Sequence, residues 1–170
     1  MAINWFPGHM HKAQKEIKEI LPQIDVVIEV CDARLPFSSE NPMITEIRGN
    51  LPLIKILNKS DLADPTKTQI WLDYLESQKN VKAIALTTNN PAVAKNLVGL
   101  IRKLVPGKDE TGKQINVVIM GIPNVGKSTL INRLLNSNEL ETSEYPGTTK
   151  NIVEKNLIYF VNKLHHLNLI

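Results

Sequence analysis

At 170 residues the chain has the length of one domain and can bury a single sizeable core. Hydrophobic residues at 42% and charged residues at 22% fall in the globular range, and a net charge of +3 permits an acidic partner such as RNA without requiring one. A lone cysteine, Cys31, excludes an internal disulfide or a zinc cluster, and no apolar run reaches membrane-spanning length. The start, Met1 to Gly8, lacks the basic flank and long apolar core of a secretory signal, so a cytoplasmic protein is expected.

Trp5-Phe6-Pro7-Gly8 is an aromatic pair and a turn, after which Met10, Ala13, Ile17, Ile20 and Leu21 form a helical stripe ended by Pro22. Lys12, Lys15, Glu16, Lys18 and Glu19 take the other face, which is either solvated or set against an RNA backbone. Ile24–Cys31 reads as a strand, then comes a loop rich in Ser and Pro and a short helix around Met43–Arg48. Leu51–Leu57 is the next strand, followed by a helix over Pro65–Gln78 with Ile70, Trp71, Tyr74 and Leu75 at helical spacing. Val81–Leu86 is a third strand, and the helix near Ala92–Leu104 turns Val93, Leu97, Leu100, Ile101 and Leu104 inward. Pro106–Gln114 is polar and reads as a linker. Ile115–Met120 is a fourth strand, Ser128–Leu135 a helix, and Ile152–Phe160 and Lys163–Ile170 two further strands. Alternating strands and helices predict an α/β layer around a mainly parallel sheet.

Gly121-Ile122-Pro123-Asn124-Val125-Gly126-Lys127-Ser128-Thr129 fits G-x-x-x-x-G-K-[ST] between a buried strand and a helix. The glycines let successive N–H groups curl around phosphate oxygens, and the helix adds its positive end. Lys127 brings a point charge to the β- and γ-phosphates, and the Ser128 hydroxyl is placed for Mg²⁺. This is a nucleotide-phosphate site.

Asn58-Lys59-Ser60-Asp61 follows the second strand at its carboxyl end, where open α/β sheets bind ligands. As N-K-x-D it resembles the guanine-reading element of GTPases. A carboxylate only accepts hydrogen bonds, and guanine offers N1–H and the 2-amino group side by side, whereas adenine presents an acceptor at N1. The competing reading makes Asp61 a helix N-cap. An ATP-dependent kinase or ATPase shares the phosphate loop but leaves Asp61 unexplained.

Asp61 precedes Gly121 by 60 residues, the reverse of the order in Ras-like GTPases. A chain that begins in the middle of that sheet, with the old termini joined near Pro106–Gln114, gives this order. Asn4 to Met10 (NWFPGHM), Asp32-Ala33-Arg34-Leu35-Pro36, Ser38-Ser39-x-Asn41-Pro42, the N-K-S-D run, the phosphate loop and Pro146-Gly147-Thr148-Thr149 follow one another as in a known family. Over essentially its whole length the chain closely resembles ribosome biogenesis GTPase A, the YlqF/RbgA family of bacteria. The resemblance implies a P-loop NTPase fold, a circularly permuted Ras-like G domain over residues 1–170 with a six-stranded, mainly parallel sheet.

It also implies GTP hydrolysis coupled to late assembly of the large ribosomal subunit, with rRNA and ribosomal proteins as partners, no DNA, and a monomer. GTP or GDP would be held by Asn58, Lys59, Ser60, Asp61, Thr87, Thr88, Asn124, Val125, Gly126, Lys127, Ser128 and Thr129. Asn58 would reach guanine N7 and the Lys59 stem would lie over the base. Thr87-Thr88 stands where the third base-contacting loop belongs, without the usual Ser-Ala pair. Ser128 and Thr149 would ligate Mg²⁺, Asn124 is a candidate K⁺ ligand, and His9 is the candidate catalytic residue, with a turn residue bonded to nearby backbone as the alternative.

The family's Asp-Thr-Pro-Gly element is expected directly after the strand at 163–170, where the chain stops. A truncated G domain is therefore expected, without that element or the family's helical C-terminal region. It would keep contacts to base and to the α- and β-phosphates and discriminate GTP from GDP poorly. The alternative function is a guanine-nucleotide-binding fragment or RNA-contacting module without turnover.

Overall fold

The computed structural model describes residues 15, 17–87, 89–110, 115–122, 125–135, 158–159 and 167–169. Its strands are β1 (Val26–Asp32), β2 (Leu53–Asn58), β3 (Val81–Ala85), β4 (Ile115–Met120), β5 (Ile158–Tyr159) and β6 (Leu167–Leu169). The helices are α1 (Pro42–Ile47), α2 (Pro65–Glu76), α3 (Val93–Leu104), α4 (Pro106–Glu110) and α5 (Lys127–Leu135), preceded by helical residues at 15 and 17–20. Pro22 sits in a 3₁₀ turn, Leu21–Gln23, that ends this first helix.

Six strands form one sheet in the order β3-β2-β1-β4-β5, with β6 also paired to β4. All pairings are parallel except β4–β5, where Ile119 and Met120 face Tyr159 and Ile158 in antiparallel register. Every residue of β1 and β2 is buried, so both strands read as near-continuous apolar runs. Alternate side chains feed two cores. Val26, Ile28, Val30, Ile54, Ile56, Val117 and Ile119 meet Val93, Leu97 and Ile101 of α3 and Leu130, Ile131 and Leu134 of α5. Val27, Cys31, Leu53, Leu57, Val118 and Met120 meet Ile17, Ile44 and Leu75 on the other face. Cys31 is a core residue whose thiol pKa is pushed well up by burial.

One expectation is corrected. Pro106–Gln114 is not wholly a linker, because Pro106–Glu110 turns as a short helix. Proline presets φ for a first helical position, and Lys108 Nζ is held 2.8 Å from Asp25 Oδ2, just before β1. In α2, Ile70 and Tyr74 point outward at 63% and 57% exposure. The inward stripe is Thr68 and Leu75 with Trp71 and Leu72 half-buried, and the Thr68 hydroxyl is satisfied by donating to the Asp64 carbonyl at 2.8 Å.

Charges also lie inside the sheet. Glu29 of β1 faces Lys55 of β2 in register, and both are almost fully buried. Lys55 Nζ is 3.4 Å from Glu29 Oε2 and 2.9 Å from Glu40 Oε2, while Glu29 Oε1 accepts the Asn41 N–H at 2.8 Å. Asn41 in turn caps α1, accepting from the Met43 N–H. The loop between β1 and α1 is thus fixed from below.

Candidate nucleotide site

Chain order turns around between β1 and β4: β2 and β3 continue to one side of β1, and β4 starts the other. Ligands of open α/β sheets bind at the carboxyl ends beside such a switch point. The turns that follow β1, β2, β3 and β4 all gather there.

Gly121 follows β4 so closely against β1 that a Cβ would come 2.6 Å from the Val30 carbonyl oxygen. Gly126 has φ +98°, in the left-handed region that disfavours side chains, and a Cβ there would overlap Asn58 Nδ2. Lys127 opens α5 at 4% exposure and folds back to donate to the Gly121 carbonyl. Burial lowers its ammonium pKa to about 7. Ser128 lies in the first turn of α5, and Thr129 is exposed.

From β2, Asn58 is buried and donates through Nδ2 to the Val125 carbonyl at 2.8 Å, so the N-K-S-D run is bolted to the phosphate loop. One of its two amide hydrogens is therefore committed to the loop. Lys59 adopts φ +59°, a left-handed conformation uncommon for a side chain of this kind. The Ser60 N–H bonds the Leu86 carbonyl at 3.2 Å, which draws the turn after β3 against the turn after β2, and the Asn90 N–H closes the turn after β3 on the Thr87 carbonyl at 3.1 Å. Thr87 is half-buried.

Asp61 is exposed within the 3₁₀ turn Ser60–Leu62. It does not cap α2. That cap is Asp64, whose side chain accepts the Lys67 N–H at 2.9 Å, so the reading of Asp61 as that helix's N-cap falls.

The structure brings together Asn58, Lys59, Ser60, Asp61 and Thr87 on one side and Val125, Gly126, Lys127, Ser128 and Thr129 on the other. His9, Thr88, Asn124 and Thr149 lie outside the described residues. Among the described residues no group of three or more His, Cys, Asp or Glu could hold a metal ion. Mg²⁺ is commonly bound through one or two protein groups together with phosphate oxygens rather than in an all-protein cage.

One part of the site had no assigned role in the sequence. Asp32, at the end of β1, accepts from the Arg34 N–H and Nε through Oδ1 and from Nη2 through Oδ2, at 2.9, 3.0 and 2.7 Å. Arg34 holds the Asp32 carboxyl below the usual carboxylate range. The available signal was an acid and an arginine two residues apart at a strand's carboxyl end.

A sequence family described as 50S ribosome-binding GTPase matches residues 116–170. Ribosome biogenesis GTPase A of Priestia megaterium is 45% identical over 158 residues, covering 88% of this chain and 54% of that protein. Mitochondrial ribosome-associated GTPase 1 of Mus musculus is 39% identical over 135 residues, covering 76% of this chain and 41% of that protein. A crystal structure of GNP-bound YlqF from T. maritima matches with TM-score 0.57 at 30% identity, over 79% of this chain and 53% of that one. The chain spans about half the length of the curated relatives it matches. With its N-K-S-D turn placed before its phosphate loop and this level of identity, the chain belongs to the ribosome biogenesis GTPase A family of circularly permuted GTPases.

Proposed function

We propose that this chain binds GTP and GDP with Mg²⁺ and hydrolyses GTP in the service of large-subunit assembly, in the cytoplasm and as a monomer. The observation that carries the reading is the bond from Asn58 Nδ2 to the Val125 carbonyl. It makes one site of two elements that stand 67 residues apart in the chain. A base held by Asp61 therefore belongs to the same ligand as the phosphates held by the loop.

In this reading Asp61 accepts guanine N1–H and the 2-amino group, and the Lys59 stem lies over the base. Thr87 and Thr88 close the base pocket. Loop N–H groups from Asn124 to Thr129 and the Lys127 ammonium take the phosphates, where charge grows in the transition state. Ser128 and Thr149 would hold Mg²⁺, which supplies charge neutralisation on the phosphates. Asn124 would hold a K⁺, and His9 would assist the attacking water. The partner is the ribosomal large subunit, its rRNA and proteins, as the relatives' names suggest for them.

Multiple-turnover phosphate release tests this. GTP should yield phosphate above the buffer rate, and Asp61→Asn should move that activity to xanthosine triphosphate, whose C2 carbonyl accepts from the new amide. Absence of any turnover with intact GDP binding would replace the proposal with a guanine-nucleotide-binding module. An Asp61→Asn chain that still prefers guanine would remove the base assignment.

A further inference from the structure

We infer that Asp32, locked by Arg34, is a positioning residue for the base-reading turn and acts through Lys59; the inference rests on the guanine-site reading above. Three observations carry it. Asp32 sits opposite Asn58 in the β1–β2 register, and the Ala33 N–H extends the pairing by bonding the Asn58 carbonyl at 2.7 Å. Its Oδ2 lies 3.9 Å from Lys59 Nζ, with the Asp32 side chain only 11% exposed. Finally, Lys59 holds a left-handed backbone, a conformation that persists in a non-glycine residue only when its surroundings over-determine it.

The arginine has a separate task. Its fork and its own N–H occupy both Asp32 oxygens, which fixes the carboxylate in one orientation while leaving Oδ2 facing Lys59. The turn is anchored independently from below, since the Ser39 hydroxyl donates to the Leu35 carbonyl at 2.6 Å and accepts the Asp32 N–H at 2.9 Å. Asp32 touches no base in this arrangement. It sets the direction of the lysine stem that would cover one, so that the stem is in place before the nucleotide arrives.

The role predicts a separation of base from phosphate affinity. The 170-residue chain, Asp32→Asn, Arg34→Lys, Lys59→Met and the Asp32→Asn/Lys59→Met double variant are titrated with fluorescent GDP, ADP and inorganic pyrophosphate. Asp32→Asn should weaken GDP by about fivefold to twentyfold, within the usual coupling range for side chains in contact. Arg34→Lys, on an exposed side chain, should weaken it by a smaller factor. Pyrophosphate binding should stay unchanged in both, which a merely structural lesion would not allow. In the Lys59→Met background Asp32→Asn should cost nothing further.

Four results would overturn the role. They are an unchanged GDP affinity in Asp32→Asn, an equal loss for pyrophosphate, additivity in the double variant, and a parent chain without preference for GDP over ADP. Only the last also removes the guanine-site reading, so the two failures are told apart.

Discussion

Asn58 Nδ2 donates to the Val125 carbonyl oxygen at 2.8 Å, both groups lying in the interior between β2 and the phosphate loop. Asn58→Ala deletes the donor and leaves a buried carbonyl unpaired, at a cost of about 1–3 kcal/mol. Asn58→Asp sets a carboxylate against that carbonyl and should do more harm. Pyrophosphate titration checks the linkage: both variants should weaken phosphate binding, although the substituted residue belongs to the N-K-S-D run and not to the loop. Unchanged pyrophosphate affinity would mean that the bond does not shape the loop.

Gly126→Ala meets two obstacles, the positive φ of +98° and overlap with Asn58 Nδ2. Backbone strain of this kind costs about 1–3 kcal/mol, and relief by moving Asn58 breaks the bond to Val125. Urea unfolding should show the loss of stability, and GDP titration a larger loss of binding. An alanine variant that binds as the parent does would show that the loop has room the geometry denies.

Lys127 ties nucleotide affinity to pH. Burial lowers its pKa to about 7 in the nucleotide-free chain, while phosphate oxygens favour the charged form and raise it. Binding therefore takes up a proton above pH 7, and GDP affinity should fall by up to about tenfold per pH unit there. Calorimetry at pH 8 in buffers of different ionisation enthalpy measures that uptake, which Lys127→Met should abolish. For folding the sign is opposite. An unfolded lysine keeps its proton to about pH 10.4, so the unfolded state binds more protons and the free chain gains stability as pH rises from 7.

Lys55→Met would strip the buried Glu29 of its cation. Breaking such a pair from one side costs about 3–5 kcal/mol, whereas replacing both partners by apolar residues is often near neutral. Urea unfolding should show Lys55→Met well below the parent and Glu29→Leu/Lys55→Met recovering most of the loss. Burial already raises the Glu29 pKa in the folded chain, so the folded state binds the extra proton and its stability falls as pH rises through that window. The Lys55→Met deficit should accordingly shrink on acidification.

The strands, the phosphate loop and the permuted order were legible because each is a local pattern: apolar runs, glycine spacing and the position of Asp61 before Gly121. What stayed hidden depends on register. Glu29 and Lys55 stand as single charges in two strand runs, and nothing local says that β1 and β2 place them side by side. The bond from Asn58 to Val125 joins residues 67 positions apart and needs the folded crevice to exist. Helical spacing of Ile70, Trp71, Tyr74 and Leu75 marked the helix but not its inward face, which runs through Thr68, whose hydroxyl is satisfied by the helix itself. Pro106–Glu110 is too short and polar to announce itself, and its anchor, Asp25, lies far back in the sequence.

The most direct test of the guanine site is a titration of the 170-residue chain with fluorescent GDP and ADP in the presence of Mg²⁺. Two charge-assisted bonds from Asp61 to guanine, at roughly 1.5–3 kcal/mol each, predict GDP affinity about a hundredfold or more above that of ADP. Equal affinity for the two would contradict the account, because the phosphate loop would then be binding without the turn that Asn58 fastens to it.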